Sequence, residues 1–505
     1  MNAAKRATAV LAAAAITLSL AACGTDAATS DASPSPTENV SAAYEGERSL
    51  VLGDDQVKLD GLAIAEEDAG DVTVSHDIVY YESGQGSGYG EGAEADEHDA
   101  EEAQANTVVT IRSAGTYRLS GTLSQGQIAI DLGDDAEDDP DAVVTLILDG
   151  VDVTCTVAPA LIFYNVYECG SSDEETAGSE VDTSVAGANV IIADGNVNNF
   201  DGSYVARIYE PGTTDKLHKY DGAFYSKMSM NVSGETAGDG VLNITGDNEG
   251  LDTELHLTIN GGVINIDAAN DGINTNEDNV SVTTINGGTL NIDAGLGSEG
   301  DGIDSNGWLV INGGSVFASA CAAGGDSGID ASLEIVLNGG TVVALGNMFD
   351  AISSDSEQNH LTLTLSEPVR SGDEVELTGA DGSALFDFTA PKTASMILLS
   401  GADIKDGAEY TLTVNGTERE YSAEGMIGAP GGMGDPGGMG EAPPDMGEAP
   451  PDMGEAPDDM GRGRMDIPEG LEYWLSAATD APDEIRTWLE SLIEMQANTP
   501  PDEPQ

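Results

Sequence analysis

Residues 257–282 read LTINGGVINIDAANDGINTNEDNVSV, and the next three stretches of equal length repeat the same pattern. The successors are TTINGGTLNIDAGLGSEGDGIDSNGW, LVINGGSVFASACAAGGDSGIDASLE and IVLNGGTVVALGNMFDAISSDSEQNH. An Asn-Gly-Gly therefore returns every 26 residues, at Asn260, Asn286, Asn312 and Asn338. This regularity identifies an internal repeat.

The repeat is too short to bury an apolar face by itself, and units of this length bury one by stacking on their neighbours. Its apolar runs have a period of two and are rich in Val, Ile and Thr, which favours strands. Glycine at fixed positions would cost about 1 kcal/mol each inside helices. We therefore predict that each block forms one coil of a parallel β-helix, with earlier coils at GVLNITGDNEGLDT from Gly240 and before DGAFYSK from Asp221.

Two columns of equivalent residues should run through such a stack. Ile285, Ile311 and Leu337 occupy the same place in successive blocks and are predicted to meet in the interior. The Asn before each Gly-Gly should exchange amide hydrogen bonds with the Asn above and below, while glycine permits the tight corner. The Asn-Gly-Gly column is therefore interpreted as structural.

The N-terminus has the pattern of a bacterial lipoprotein signal. Lys5 and Arg6 precede an apolar run that ends in Leu-Ala-Ala-Cys23-Gly, in which small residues precede a cysteine that is acylated. We expect residues 1–22 to be the signal peptide and Cys23 to be the lipidation site. This predicts a protein anchored by lipid to the extracytoplasmic face of a bacterial cell membrane.

The remaining chain divides by composition. The predicted fold class is all-β, a right-handed parallel β-helix with a C-terminal β cap, flanked by disordered linkers and a short C-terminal helical segment. The predicted parts are a flexible tether (23–45), the β-helix (46–360) with a disordered acidic insertion (82–105), the β-rich cap (361–422), a Gly/Pro/Met-rich linker (423–465) and the helical segment (466–505).

The chain is strongly acidic, with 91 acidic and 17 basic residues and a formal charge of −74. It offers no basic patch for phosphates, which excludes nucleic acid and anionic headgroups as direct partners. Divalent cations are the natural complement of such a charge, although scattered acids can also serve solubility alone. We expect a monomer whose contact with the membrane is the lipid anchor.

Three cysteines follow Cys23. In an exported protein, Cys155 and Cys169 could form a disulfide or stay reduced. Cys321 lies in the apolar run FASACAA and is interpreted as a small core residue.

Acidic turns recur on the predicted coils, in the form Asp-Gly-Ile-Asp or its variants. Coils repeat about every 4.8 Å, and two carboxylates at that distance repel by about 3–4 kcal/mol at an effective dielectric constant of 20. Calcium would relieve this repulsion, because it prefers hard oxygen ligands; the alternative is a solvated acidic edge. The candidate metal ligands are Asp252, Asp271, Asn274, Asp301, Asp304 and Asp330.

Four phrases carry a family resemblance: SAGTYRLSGTLSQGQIAID, DGAFYSK, DNEGLDTELHLTINGGVINIDAANDGINT and GDGIDSNGWLVINGGSVFASA. In this order they resemble the bacterial carbohydrate-binding-domain family of surface lipoproteins, over residues 105–420. That family consists of polysaccharide-binding right-handed parallel β-helices similar in fold to pectate lyases. The resemblance implies extracellular binding of polysaccharide, including acidic plant-type glycans, with calcium held by the coil.

The predicted function is therefore polysaccharide binding without catalysis. A lyase typically uses a cationic base, and the sequence has no Lys or Arg between Lys227 and Arg370. The phrase GDGIDSN partly matches a glycoside hydrolase motif, but the Gly-His-Gly and Arg-Ile-Lys phrases that accompany it are missing. A pectate-lyase-like or polygalacturonase-like enzyme and a sugar-independent structural or adhesive protein are the alternatives.

Overall fold

Strands make up nearly all of the regular structure. The computed structural model describes residues 44, 46–66 and 69–424. One helix, α1 (Ala100–Gln104), and one 3-10 turn (Asp134–Asp138) accompany the strands. The strands are β1 (Arg48–Leu52), β2 (Lys58–Leu59), β3 (Leu62–Ala63), β4 (Val72–Ser75), β5 (Thr107–Ile111), β6 (Gly115–Leu123), β7 (Gly126–Asp131), β8 (Val144–Cys155), β9 (Leu161–Asn165), β10 (Ala188–Ile192), β11 (Val197–Gly202), β12 (Val205–Tyr209), β13 (Lys216–Tyr220), β14 (Gly222–Ser226), β15 (Met230–Gly234), β16 (Val241–Gly246), β17 (Glu249–Thr253), β18 (Leu257–Ile259), β19 (Val263–Ala268), β20 (Ile273–Thr275), β21 (Val282–Ile285), β22 (Thr289–Asp293), β23 (Ile303–Ser305), β24 (Trp308–Ile311), β25 (Ser315–Ser319), β26 (Glu334–Leu337), β27 (Thr341–Gly346), β28 (His360–Val369), β29 (Glu374–Gly379), β30 (Ala384–Thr389), β31 (Ala394–Ser400), β32 (Tyr410–Val414), β33 (Thr417–Glu418) and β34 (Tyr421–Glu424).

Parallel pairing arranges the central strands in three columns. The first column contains β10, β15, β18, β21, β24 and β26. The second contains β11, β16, β19, β22, β25 and β27, and the third contains β5, β7, β9, β14, β17, β20 and β23. The block 257–282 supplies one strand to each column, β18, β19 and β20. The first two repeats of the sequence thus each correspond to one set of three strands, one in each column.

The interior column of the repeat is confirmed. Ile259, Ile285, Ile311 and Leu337 are successive register partners in the first column, and each is 0% exposed. Alternation explains the burial: in β19 every second residue faces the core, as the two-residue period of a strand requires.

The asparagine ladder is also confirmed. The side-chain amides of Asn286, Asn312 and Asn338 each donate to the preceding Asn at 2.9 Å, beginning at Asn260. The second glycine after each Asn has a positive φ, for example 93° at Gly262, which a side chain would oppose. A second ladder, which the sequence analysis did not predict, joins Asn199, Asn243, Asn265 and Asn291 at 2.8 Å.

The sheets are mixed, because antiparallel strands pair with β1, with the first strand of the third column and with the last strand of the second column. At the start, β1 pairs antiparallel with β2, and β4 with β5. At the end, β31 pairs antiparallel with β27 and β28. The region after His360 has its own apolar cluster, which includes Leu363, Leu399 and Leu412. The large share of strands confirms the prediction that the fold is predominantly β.

The acidic insertion 82–105 is folded, which corrects the prediction of a disordered segment. Its end forms α1, where the side chain of Asp99 caps the first turn together with Glu102. Its middle pairs with the hairpin β12–β13 through the bridge Gly90–Ile208. Buried Tyr81 and Ala103 supply apolar contacts, so the acidic composition did not reveal the contacts that fix this segment.

Cys155 and Cys169 are both free, so the disulfide that the sequence left open is not formed. Cys155 is buried at the end of β8, where it pairs with Gly202. The residue after Cys169, Gly170, lies instead against His256, just before β18. Cys321 is buried as predicted. Cys23, the predicted signal peptide and the predicted C-terminal helical segment lie outside the described residues. Among the described residues, no helix has the length and hydrophobicity of a membrane span.

Candidate functional site

The third column carries the predicted metal ligands, but in two rows. Asp252, Asn274 and Asp304 are register partners on β17, β20 and β23. Asp271 and Asp301 form the other row, just before the strands, where the backbone N–H of Asp301 donates to Asp271 Oδ1 at 2.7 Å. The six predicted residues therefore do not converge on one point.

A tighter acidic cluster lies at the start of the third column's middle strands. Asp221, Glu249 and Asp252 each place one carboxylate oxygen within 4.8 Å of the other two. All three are buried, and Asp252 is 0% exposed. Among the described residues this acidic trio is the one group of three such ligands, and it contains one predicted ligand, Asp252.

Burial strongly disfavours charge on the acidic trio. Desolvation raises the pKa of Glu249 well above its usual range, and the neighbouring Asp252 and Asp221 raise it further. Desolvation, followed by Asp221 and Glu254, does the same for Asp252. Lys219 forms an ion pair with Asp221; burial lowers the pKa of Lys219, but the three acids raise it by more. The Lys219 ammonium therefore compensates only part of the negative charge of the acidic trio, which reaches −3 when all three carboxyl groups are ionised.

Several oxygens of this site have no hydrogen-bond partner. Asn274 Nδ2 donates to Glu249 Oε1 at 3.2 Å, and Asn276 Nδ2 donates to Asp252 Oδ1 at 2.8 Å. The other oxygens, Glu249 Oε2, Asp252 Oδ2 and Asn274 Oδ1, are buried without a partner among the described residues. A buried carboxylate without a partner is costly, and carboxylate and amide oxygens are what calcium coordinates. The residues therefore fit a hard divalent cation.

Asp271 and Asp301 accept hydrogen bonds from the backbone, whereas Asp330 Oδ1 is buried without a partner among the described residues. Ser327 N donates to Asp301 Oδ1, as Asp301 N donates to Asp271. Desolvation raises the pKa of Asp271 to about 7 and of Asp301 to about 8, against the effect of these hydrogen bonds. Desolvation and Asp350 raise the pKa of Asp330 to about 7. These three acids can hold protons near neutral pH without a metal.

These raised pKa values predict how stability depends on pH in the absence of divalent cations. A carboxyl with a raised pKa binds its proton more tightly when folded, so its destabilising effect is absent at low pH and grows as pH rises. For Asp301 the window runs from the ordinary value of 3.8 to about 8. We expect the melting temperature in chelator to fall across this window, and Asp301→Asn to flatten the fall. A rise across the same window, measured by calorimetry, would contradict the burial of these acids.

The hairpin β12–β13 forms a groove with the third column, next to the acidic trio. Two adjoining cavities of about 570 and 320 Å³ make up this hairpin groove. Both are lined by Asn165, Leu217, His218, Tyr220 and Lys227. The larger cavity is also lined by Lys216, Lys219 and Glu254. Its wall therefore carries both positively and negatively charged side chains.

Sequence reasoning missed Asp221, Glu249 and the hairpin lysines. A signal existed for Glu249, because Glu249-Gly-Leu-Asp252 has the same form as Asp301-Gly-Ile-Asp304 with Glu in place of Asp. Asp221 likewise precedes a glycine and the strand β14. Lys216 and Lys219 precede Lys227 and therefore lie outside the lysine-free and arginine-free stretch that argued against a lyase.

Comparison with known proteins gives one family and one solved structure. Residues 105–383 match the model of the family described as carbohydrate-binding domain-containing protein. No curated protein matches the chain. The chain is similar to a polysaccharide lyase-like protein from C. thermocellum, solved as a gadolinium derivative, with 20% identity over 61% of this chain and 91% of that one and a TM-score of 0.33.

Proposed function

Since the chain belongs to the carbohydrate-binding domain-containing protein family, we propose that it binds polysaccharide on the surface of a bacterial cell. The observation that carries this proposal is the family match itself, because residues 105–383 include the acidic trio and most of the hairpin groove. Binding, not catalysis, is the proposed activity. Lipid at Cys23 would hold the protein at the membrane, and detergent partition of a Cys23→Ala variant tests this anchor.

We further infer that the three columns wind as a right-handed parallel β-helix. In-register parallel pairing over successive repeats and the two asparagine ladders support this path. Such a fold gives every coil the same width and leaves its side faces open, which suits an extended polymer.

We propose that calcium binds at the acidic trio. Asp221, Glu249 and Asp252 would hold it, with the partner-free oxygen of Asn274 close by. When bound, the ion would neutralise the buried carboxylates and supply positive charge to a protein of formal charge −74. That charge would let the site accept an acidic glycan, which the protein would otherwise repel.

A polysaccharide lyase is the second candidate function, and one observation favours it. Lys216, Lys219 and Lys227 line the larger cavity of the hairpin groove, and Lys219 contacts the acidic trio. A lysine in its neutral amine form beside a calcium site would fit proton abstraction next to a uronate carboxylate. Formation of unsaturated sugar ends during incubation with polygalacturonate would establish this activity; unchanged substrate would leave binding as the function.

A retention assay tests the proposed binding. We expect the protein to be retained on agarose-coupled polygalacturonate in calcium and released by chelator, while uncoupled agarose retains none. Loss of one charge-assisted contact costs about 1.5–3 kcal/mol, so affinity should fall by about tenfold or more in chelator. Absence of retention on this and on neutral polysaccharides would favour a structural or adhesive role that needs no sugar.

A further inference from the structure

We propose that the hairpin groove is the place where the acidic glycan binds, with Lys227 receiving a sugar carboxylate and Leu217 and Tyr164 contacting the apolar faces of sugar rings. This inference rests on the proposed function and adds the location and the residues of the binding site.

The groove crosses successive strands of the third column. It extends from Val108 and Thr110 on β5, past Gln127 on β7 and Tyr164 on β9, to Leu255 after β17. Asp77, Val79 and Glu277 line it as well. Five neighbouring strands at about 4.8 Å spacing give it a length of about 19 Å. A cleft of this length perpendicular to the strands fits a short run of an extended polymer.

Lys227 is the cation of the groove that remains available. Arg112 pairs with Asp131 at 3.2 Å, Lys216 with Glu254 at 3.2 Å, and Lys219 with Asp221. The exposed Lys227 lines both cavities, and no carboxylate of the described residues lies within ion-pair distance of it. An ammonium in this position attracts an anion that the protein itself does not supply.

Two acids that line the larger cavity, Glu168 and Glu254, already have hydrogen-bond donors. Glu168 accepts from the N–H of Gly170 and of Ser229, both at 2.6 Å. Glu254 accepts from Tyr225 as well as from Lys216. Because these carboxylates already have donors, they compete weakly for Lys227.

Apolar surface faces the groove from both sides. Leu217 on the hairpin is 44% exposed and lines both cavities. On the floor, the half-buried ring of Tyr164 packs edge-on against Tyr220 with 5.5 Å between centroids, and His218 Nδ1 lies 2.7 Å from the Tyr220 hydroxyl. Sugar rings present C–H faces and polar edges, so this lining of apolar surface, hydroxyl and ammonium matches a uronate unit.

The folded acidic insertion holds strand β12 of the hairpin by hydrogen bonds. Glu91 N donates to Arg207 O at 2.9 Å, and Tyr209 N donates to Tyr89 O at 2.8 Å. The Tyr209 hydroxyl also donates to Glu91 at 2.7 Å. The groove is therefore already shaped before ligand arrives, which reduces the entropy lost on binding.

Calorimetry with tetragalacturonate in calcium buffer tests the proposal. We expect Lys227→Met to weaken binding by about tenfold or more, since a charge-assisted contact is lost, and Leu217→Ser to weaken it as well. Lys58 is an exposed lysine on β2 that lines neither cavity, so Lys58→Met is the matched control and should bind like wild type. Lys227 is exposed, so its replacement should leave the melting temperature unchanged.

The outcomes separate the two proposals. If wild type binds tetragalacturonate and both groove variants bind it equally well, the groove is not the site although the proposed function stands. If wild type binds neither tetragalacturonate nor polygalacturonate, the groove proposal fails, and if it binds no neutral polysaccharide either, the proposed function fails as well. If the Lys227 variant also loses binding to the uncharged tetrasaccharide of galactose in the same proportion, the ammonium does not recognise a carboxylate.

Discussion

Ile311→Asp is expected to destabilise the protein by more than about 4 kcal/mol. Ile311 lies between Ile285 and Leu337 in the first column and is 0% exposed. The change removes roughly 1.5–3 kcal/mol of burial and adds an unpaired charge to the core. Urea unfolding monitored by circular dichroism measures the loss.

Two further variants keep this prediction testable if Ile311→Asp does not fold. Ile311→Val should cost about 0.5–1.5 kcal/mol. Leu333, which is 42% exposed, provides the matched control, and Leu333→Asp should change stability by no more than about 0.5 kcal/mol. Equal effects at positions 311 and 333 would refute the interior column.

Calcium added to chelator-treated protein is expected to raise its stability by about 2.7 kcal/mol when the free ion exceeds Kd a hundredfold. The reason is that the ion would bind the acidic trio only in the folded chain, where it replaces repulsion among three buried carboxylates by attraction. Calorimetry at constant pH with increasing calcium measures the shift.

The double variant Glu249→Gln and Asp252→Asn should lose this response. It should also melt above wild type in chelator at neutral pH, because it removes two buried acids with raised pKa. The matched control is Asp301→Asn with Asp304→Asn, which changes two acids of the same column outside the trio and should keep the response. If the control loses the response and the trio variant keeps it, the ion binds along the predicted column instead.

The repeat region could be predicted because its spacing is constant. With 26 residues between Asn286 and Asn312, equivalent positions must share one environment, and both the ladder and the interior column follow from that. The second ladder has spacings of 44, 22 and 26 residues. Loops of unequal length separate those strands, so no fixed period reveals that Asn199, Asn243 and Asn265 are neighbours.

The candidate site could be predicted only in part for the same reason. Asp252 lies on β17, whose register continues into the repeat, whereas Asp221 follows the hairpin β12–β13, an element outside the repeat. The contacts that fold the acidic insertion join residues as far apart as Glu91 and Tyr209, 118 positions along the chain. Tertiary contacts of this range leave no local pattern, and composition alone indicated a segment without structure.

The identical register of each repeat makes length a modular property of this protein. Ile285 is the register partner of both Ile259 and Ile311. In the same way, the Asn286 side chain is hydrogen-bonded to both Asn260 and Asn312. Excision of residues 283–308 would place Ile311 on Ile259 and Asn312 on Asn260, with the contact types preserved and the stack one strand spacing, about 4.8 Å, shorter. Duplication would do the reverse, so gene rearrangement could adjust how far the chain reaches without redesigning its core or the hairpin groove.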